Sequence, residues 1–167
     1  MPTENEERVL DLLSAVDYVS GLDPGKLIQS WGRDAVTVAC EVALGSYPGL
    51  QRKVRTNAVA VLETITEPQA LETVTLLVKS PDSDVSIRAL RAAAGQKNAS
   101  VVKSIAQMVQ SPSLEPLVAV EAVKALAAVD SADARTVLKA YAEADPEKFP
   151  HRANALVGSY LDRLSRQ

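Results

Sequence analysis

The sequence predicts an all-α fold made of stacked helix pairs, and three observations support this prediction. Of the 167 residues 47% are hydrophobic, yet only 4% are aromatic and 25 are alanine. Strands are usually richer in aromatic and β-branched side chains. Apolar residues recur with the period of a helix, and the nine prolines lie between these runs. Finally, the runs repeat along the chain, which indicates an array of similar units.

The repeat is marked by two sets of residues that keep the same spacing. Turn prolines are 33, 31 and 34 residues apart, at Pro48, Pro81, Pro112 and Pro146. Each is followed by a bulky apolar residue, at Val54, Val85, Val118 and Phe149. Alanine comes four residues later in every copy, at Ala58, Ala89, Ala122 and Ala153. The i, i+4 spacing places the bulky residue and the alanine on one face of a helix.

Each proline lies between two helical runs, so the unit is a helix, a short turn and a second helix. The proline ends the first helix because the residue before it is disfavoured in the α region. One pair cannot bury its own apolar stripe, but stacked pairs can, as in an α-solenoid. We therefore predict one domain, with capping helices at 1–32 and repeat units at 33–66, 67–97, 98–130 and 131–167.

The N-terminal segment has the pattern of a capped helix. Thr3 and Glu6 have the spacing of a capping box, and Val9 and Leu13 begin an apolar stripe. Gly21 lies past the predicted end of this helix. A second short helix is expected to follow, and together the two form the divergent first unit.

The clearest unit carries Pro81-Asp82, Asp84-Val85, Ala89-Leu90 and Ala92-Ala93. With the matching positions over about residues 33–167, this pattern resembles the HEAT-like repeat family in its short form. The resemblance implies a right-handed superhelix of antiparallel helix pairs. Ankyrin and tetratricopeptide signatures are missing from the sequence. Arginine is frequent in the family two residues after the valine, but this chain has Thr56, Ile87, Val120 and His151 there, so the family's usual Asp–Arg ladder is not implied.

Residues that support catalysis or metal binding are scarce. The chain has one histidine, His151, and one cysteine, Cys40, and it lacks glycine-rich phosphate-binding motifs. We expect Cys40 to be a buried core thiol and His151 to lie on the surface near the start of the last helix. The sequence thus predicts a protein that is not an enzyme and that binds no cofactor and no metal.

The location predicted from the sequence is cytoplasmic. A lone cysteine is typical of a reducing compartment. No apolar run approaches the roughly 18 residues of a membrane span, and the first residues are acidic, unlike those of a signal peptide. We therefore expect no membrane association.

The candidate binding surface follows from the helical wheel of the second helices. Positions two, three and six after the valine point away from the predicted core. The candidate partner-binding residues are Asn57, Ile87, Arg88, Arg91, Val120, Glu121, Lys124, His151 and Arg152. Ile87 and Val120 are apolar within a charged rim, which is typical of a protein-binding surface. The expected partner is a helix or extended segment of another protein. Alternatively, Ile87 and Val120 pack against the neighbouring unit.

Two other functions are compatible with the sequence. Some HEAT-like proteins bind DNA along a basic groove, and a comparable row is Arg52, Lys53, Arg55, Arg88, Arg91, Lys97, Lys124 and Arg152. The formal net charge of −3 and the scarcity of aromatic residues make nucleic acid the less favoured partner. A chromophore lyase-type role is implied by the resemblance alone.

Overall fold

The structure is a computed structural model that describes residues 1–16 and 22–167. These residues form ten α-helices and no strand, which confirms the predicted all-α class. The helices are α1 (Glu4–Ala15), α2 (Pro24–Ser30), α3 (Arg33–Leu44), α4 (Arg52–Val61), α5 (Pro68–Leu77), α6 (Ser83–Gln96), α7 (Val102–Met108), α8 (Pro116–Val129), α9 (Ala132–Glu143) and α10 (Ala155–Ser165). Short 3₁₀ turns occur at Leu62–Thr64, Ala99–Val101 and Pro150–Ala153.

The helices pack as an array of pairs. Sequential neighbours pack together in α3–α4, α5–α6 and α7–α8. The second helices form a continuous row in which α4 contacts α6, α6 contacts α8, and α8 contacts α10. First helices contact one another at α3–α5 and α7–α9. This arrangement is the predicted α-solenoid, in which each unit buries its apolar stripe against its neighbours.

Local sequence explains where the helices begin and end, as α6 illustrates. The carboxylate of Asp82 accepts a hydrogen bond from the backbone N–H of Asp84, which caps the helix N-terminus. The helix ends at Lys97, which adopts a left-handed conformation with φ of 49°. The next side chain, Asn98, donates to the carbonyl of Leu71 at 2.9 Å and ties this end to α5.

The repeated apolar residues form the core of the second-helix row. Val54, Val85 and Val118 are at most 7% exposed. The alanines four residues later are fully buried, at Ala58, Ala89 and Ala122. The small alanine side chains let adjacent helices approach closely. The repeated valines and alanines therefore lie at the contacts between helices in the first three copies.

The fourth copy departs from this pattern. Phe149 is half-buried and Ala153 is exposed, so neither occupies the position of its counterparts. The segment Pro150–Ala153 forms a 3₁₀ turn instead of the start of the last helix. Asn154 then caps α10 by accepting a hydrogen bond from the backbone N–H of Leu156 at 3.0 Å. The prediction that the last helix begins near residue 151 is therefore wrong.

The N-terminal helix covers the first repeat. Thr3 and Glu6 form the predicted capping box, with both reciprocal hydrogen bonds in place. Helix α1 packs against α3 and α4, and the guanidinium of Arg8 lies 4.3 Å from the ring centroid of Trp31 at the end of α2. Gly21, the predicted helix terminator, lies outside the described residues.

Candidate functional site

The predicted binding residues of the two central units lie on adjacent second helices. We call this surface the second-helix face and define it as Ile87, Arg88 and Arg91 of α6 with Val120, Glu121 and Lys124 of α8. Ile87 and Val120 are half-buried and pack against the core. Packing inside the array therefore accounts for part of each apolar side chain, and the remainder is accessible.

Glu121 lies at the centre of the second-helix face and is only 8% exposed. Its Oε1 lies 3.1 Å from Nη2 of Arg91 and 3.5 Å from Nζ of Lys124. The prediction that Glu121 faces solvent is wrong because these cations and the two helices cover it. Arg91 and Lys124 remain accessible, with side chains 61% and 43% exposed.

Arg88 differs from its neighbours because it makes no ion pair within the described part of the chain. Asp84 precedes it by one helical turn and would be its natural i, i+4 partner. The Asp84 carboxylate instead lies 3.1 Å from Nη2 of Arg52 on the preceding second helix. Arg88, a half-buried residue, is therefore left as a cation without an ion pair on the second-helix face.

Polar contacts also link successive units along the N-terminal ends of their second helices. Nη2 of Arg52 lies 2.9 Å from Asp82, thirty residues further along the chain. The hydroxyl of Ser83 donates to Glu115 at 2.8 Å and makes the corresponding link to the next unit. A ladder of polar contacts between units thus exists. It starts from Arg52, two residues before Val54, and not from the position two residues after the valine, where the family often has arginine.

Asn57 does not contribute to an open surface. It is 5% exposed, and its Nδ2 donates to the carbonyl of Leu13 at 2.9 Å. Its neighbour Thr56 is also buried. The predicted exposure of Asn57 is wrong because α1 lies over α4 and covers this part of the first repeat.

His151 is buried as well, at 2% exposure, so its predicted surface position is wrong. Its Nδ1 lies 2.7 Å from the hydroxyl of Tyr141, and its Nε2 lies 2.9 Å from the carbonyl of Ser111. Burial lowers the pKa of the imidazole, while the hydrogen bond to Ser111 opposes that shift. His151 thus joins α9, the turn after α7 and the last 3₁₀ turn.

Arg152 also has a role within the fold. Its Nε donates to the carbonyl of Tyr141 at 3.1 Å, and its Nη2 donates to the carbonyl of Ala142. These carbonyls lie in the last turn of α9, where a cation offsets the negative end of the helix dipole. Arg152 is half-buried by this contact, which separates it from the second-helix face.

Several cations of the basic row have partners within the protein. Besides Arg52 and Arg152, Arg55 donates from Nε to the carbonyl of Ala43 at 3.0 Å. The row is therefore interrupted by local contacts, although the side chain of Arg52 on α4 is still 65% exposed.

The structure adds two residues that the sequence pattern did not single out. They are Tyr160 and Arg163 of α10: the ring centroid of Tyr160 lies 5.8 Å from Nζ of Lys124 and 5.9 Å from the guanidinium of Arg163. Both distances are within the range of cation–π contacts. The i, i+3 spacing of Tyr160 and Arg163 was the available signal, but it identifies neighbours within one helix only.

Cys40 matches the expectation of a core thiol. It is 1% exposed, and burial raises the pKa of its thiol. Within the described ranges, every helix is too short or too polar to cross a membrane.

Comparison with known proteins identifies the repeat. The family described as HEAT repeats matches residues 72–156, about half of the chain, from within α5 to the start of α10. No curated protein and no solved structure matches the chain. The match covers the two helix pairs that form the second-helix face, and HEAT repeats generally serve as protein-interaction modules. The family match and the stacked helix pairs together confirm the resemblance seen in the sequence: the chain belongs to the HEAT repeat family.

Proposed function

We propose that the chain is a non-enzymatic protein-binding module that acts as a scaffold, an adaptor or a regulatory subunit. Its second-helix face would hold a helix or an extended segment of a partner protein. The observation that carries this proposal is the arrangement of α6 and α8, where accessible Arg91 and Lys124 flank the half-buried Ile87 and Val120. A partly apolar strip with a charged rim is typical of protein interfaces.

The states of the two most reactive side chains support the non-enzymatic part of the proposal. Both ring nitrogens of His151 are hydrogen-bonded inside the fold. The buried Cys40 has a raised pKa, which disfavours the nucleophilic thiolate. The free Cys40 thiol is also consistent with the cytoplasmic location that we propose.

The roles of the candidate residues differ within this proposal. Ile87, Arg88, Arg91, Val120 and Lys124 would contact the partner directly. Glu121 would act through Arg91 and Lys124 by fixing the positions of their charged groups. Asn57, His151 and Arg152 are no longer included, since their side chains bond within the fold.

Site-specific photo-cross-linking tests the location of the interface. A photoreactive amino acid replaces Arg88 on α6 or, as the matched control, the exposed Lys103 on the first helix α7. We expect protein adducts in cells from position 88 and few from position 103. Equal adduct formation at the two positions would argue against the second-helix face as the interface.

A further inference from the structure

A continuous series of charged and aromatic contacts crosses three second helices. It begins at Arg91 of α6, passes through Glu121 and Lys124 of α8, and ends at Tyr160 and Arg163 of α10. The first two contacts are ion pairs of 3.1 and 3.5 Å. Two cation–π contacts of 5.8 and 5.9 Å complete the series. We call these five residues, together with Arg88, the cationic strip.

The cationic strip carries an excess of positive charge. Four of its residues are cations, and Glu121 is its only carboxylate. Oε1 of Glu121 is shared by Arg91 and Lys124, so one negative charge is divided between two positive ones. Arg88 and Arg163 make no ion pair within the described part of the chain. The excess is local, because the whole chain has a formal net charge of −3.

The contacts also hold the accessible cations in place. Long flexible side chains lose conformational entropy when a ligand fixes them. Here Glu121 already restrains Arg91 and Lys124, and the ring of Tyr160 adds a second restraint on Lys124. Their exposed parts can therefore contact a ligand at a smaller entropic cost than unrestrained lysine or arginine side chains.

We infer that the cationic strip binds an acidic segment of a partner protein. Its carboxylates would contact Arg88, Arg91, Lys124 and Arg163, while its apolar side chains would pack on Ile87 and Val120. This inference rests on the proposed function, since it specifies the chemistry of the partner that the second-helix face holds. Charge complementarity of this kind favours specificity and fast association.

The structure favours an acidic protein segment over nucleic acid. Arg55 and Arg152, which would have extended the basic surface, are half-buried and donate to backbone carbonyls within the fold. The half-buried Ile87 and Val120 accompany the cations of the second-helix face, and apolar surface beside cations matches an amphipathic acidic segment better than it matches a row of phosphates.

Chemical-shift mapping on the ¹⁵N-labelled full chain tests the inference. The probe is a synthetic amphipathic peptide of glutamate, leucine and alanine, and the matched peptide has lysine in place of every glutamate. A single-stranded oligonucleotide and a DNA duplex are added separately. We expect the acidic peptide to shift backbone signals of α6, α8 and α10, and its binding to weaken as salt increases.

Charge reversal provides the second part of the test. The double variant Arg88→Glu/Arg163→Glu alters two cations of the strip without removing a partner of Glu121. The control Lys103→Glu/Lys139→Glu makes the same charge change at exposed positions on first helices. The Arg88/Arg163 variant should bind the acidic peptide about tenfold more weakly than the wild type, because two favourable charge contacts become repulsive. The Lys103/Lys139 variant should bind like the wild type.

Three results would overturn the inference. They are the absence of shifts with the acidic peptide, equal shifts with the lysine peptide, and tighter binding of the oligonucleotide or the duplex than of the acidic peptide. The photo-cross-linking at position 88 does not depend on partner charge. Adducts at that position without binding of the acidic peptide would therefore contradict the inferred acidic character of the partner. The proposed function of the second-helix face would remain supported.

Discussion

The hydroxyl of Tyr141 lies 2.7 Å from Nδ1 of His151, and the two rings stack with their centroids 5.6 Å apart. The other ring nitrogen, Nε2, faces the carbonyl of Ser111 at 2.9 Å. A carbonyl can only accept, so Nε2 carries the proton and Nδ1 accepts from Tyr141. This arrangement satisfies a neutral imidazole completely, and protonation of Nδ1 would require the Tyr141 hydroxyl to change from donor to acceptor and would place a charge in a buried site.

The first prediction is that stability decreases in mild acid because of His151. Burial lowers its pKa in the folded protein below the value of about 6.5 in the unfolded chain. As the pH falls through the unfolded value, the unfolded chain binds a proton that the folded protein does not, so the free energy of unfolding decreases. The cationic Arg152, bonded to the carbonyl of Tyr141, gives no compensating attraction. One proton limits the slope to about 1.4 kcal/mol per pH unit.

Urea unfolding between neutral pH and about pH 5 measures this effect, in a range above the usual carboxylate titration. His151→Gln supplies the reference, because glutamine does not titrate. We expect the variant to be less stable at neutral pH but to lose less stability than the wild type on acidification. Parallel stability curves for the two proteins would contradict the assigned role of His151.

The second prediction concerns the attachment of α1 through Asn57. Asn57→Ala removes the donor to the buried carbonyl of Leu13 and should lower the free energy of unfolding by about 1–3 kcal/mol. Asn57→Asp should cost more, because a carboxylate oxygen would face that carbonyl. Urea unfolding measures both losses, and hydrogen exchange should accelerate first in α1.

Asn5→Ala is the matched control for this prediction. Asn5 lies in α1 and is half-buried, and a substitution there should change stability by no more than about 0.5 kcal/mol. If Asn57→Ala were as mild as Asn5→Ala, the bond to Leu13 would not contribute to the attachment of α1.

The third prediction is a measurable coupling between Arg91 and Glu121. A double-mutant cycle with Arg91→Gln and Glu121→Gln should give about 0.5–1 kcal/mol, since Glu121 is shielded although Arg91 is accessible. The exposed pair Arg135–Asp130 is closer, at 2.8 Å, with side chains 67% and 65% exposed. It should couple more weakly and lose more of its coupling in salt. Stronger coupling in the exposed pair would show that shielding of Glu121 does not determine the interaction.

The success and the failure of the sequence-based predictions have physical reasons. Val85 and Ala89 could be assigned to the core because their i, i+4 spacing is local and recurs in neighbouring units. The burial of Asn57 depends on a contact with Leu13, 44 residues earlier in the sequence. The periodicity of a single helix carries no information about such a distant contact. His151 was misplaced because the capping bond of Asn154 delays the last helix, although a capping asparagine before an apolar run is a visible signal.

The fourth prediction compares two glycine-to-alanine substitutions in helices. A Cβ atom on Gly25 of α2 would lie 2.1 Å from the hydroxyl oxygen of Thr64 and 2.3 Å from the backbone carbonyl oxygen of Val61. The backbone atom cannot rotate away, so Gly25→Ala should destabilise the protein by about 1–3 kcal/mol through overpacking. A Cβ on Gly158 of α10 meets no atom within 4 Å.

Gly158→Ala should therefore stabilise the protein by up to about 1 kcal/mol, the difference in helix propensity between the two residues. Thermal or urea unfolding of both variants measures the opposite signs. The comparison separates close packing from propensity, because the same methyl group is added to a helix in each case. A stabilising Gly25→Ala would mean that α2 does not pack against the end of α4 as closely as the structure shows.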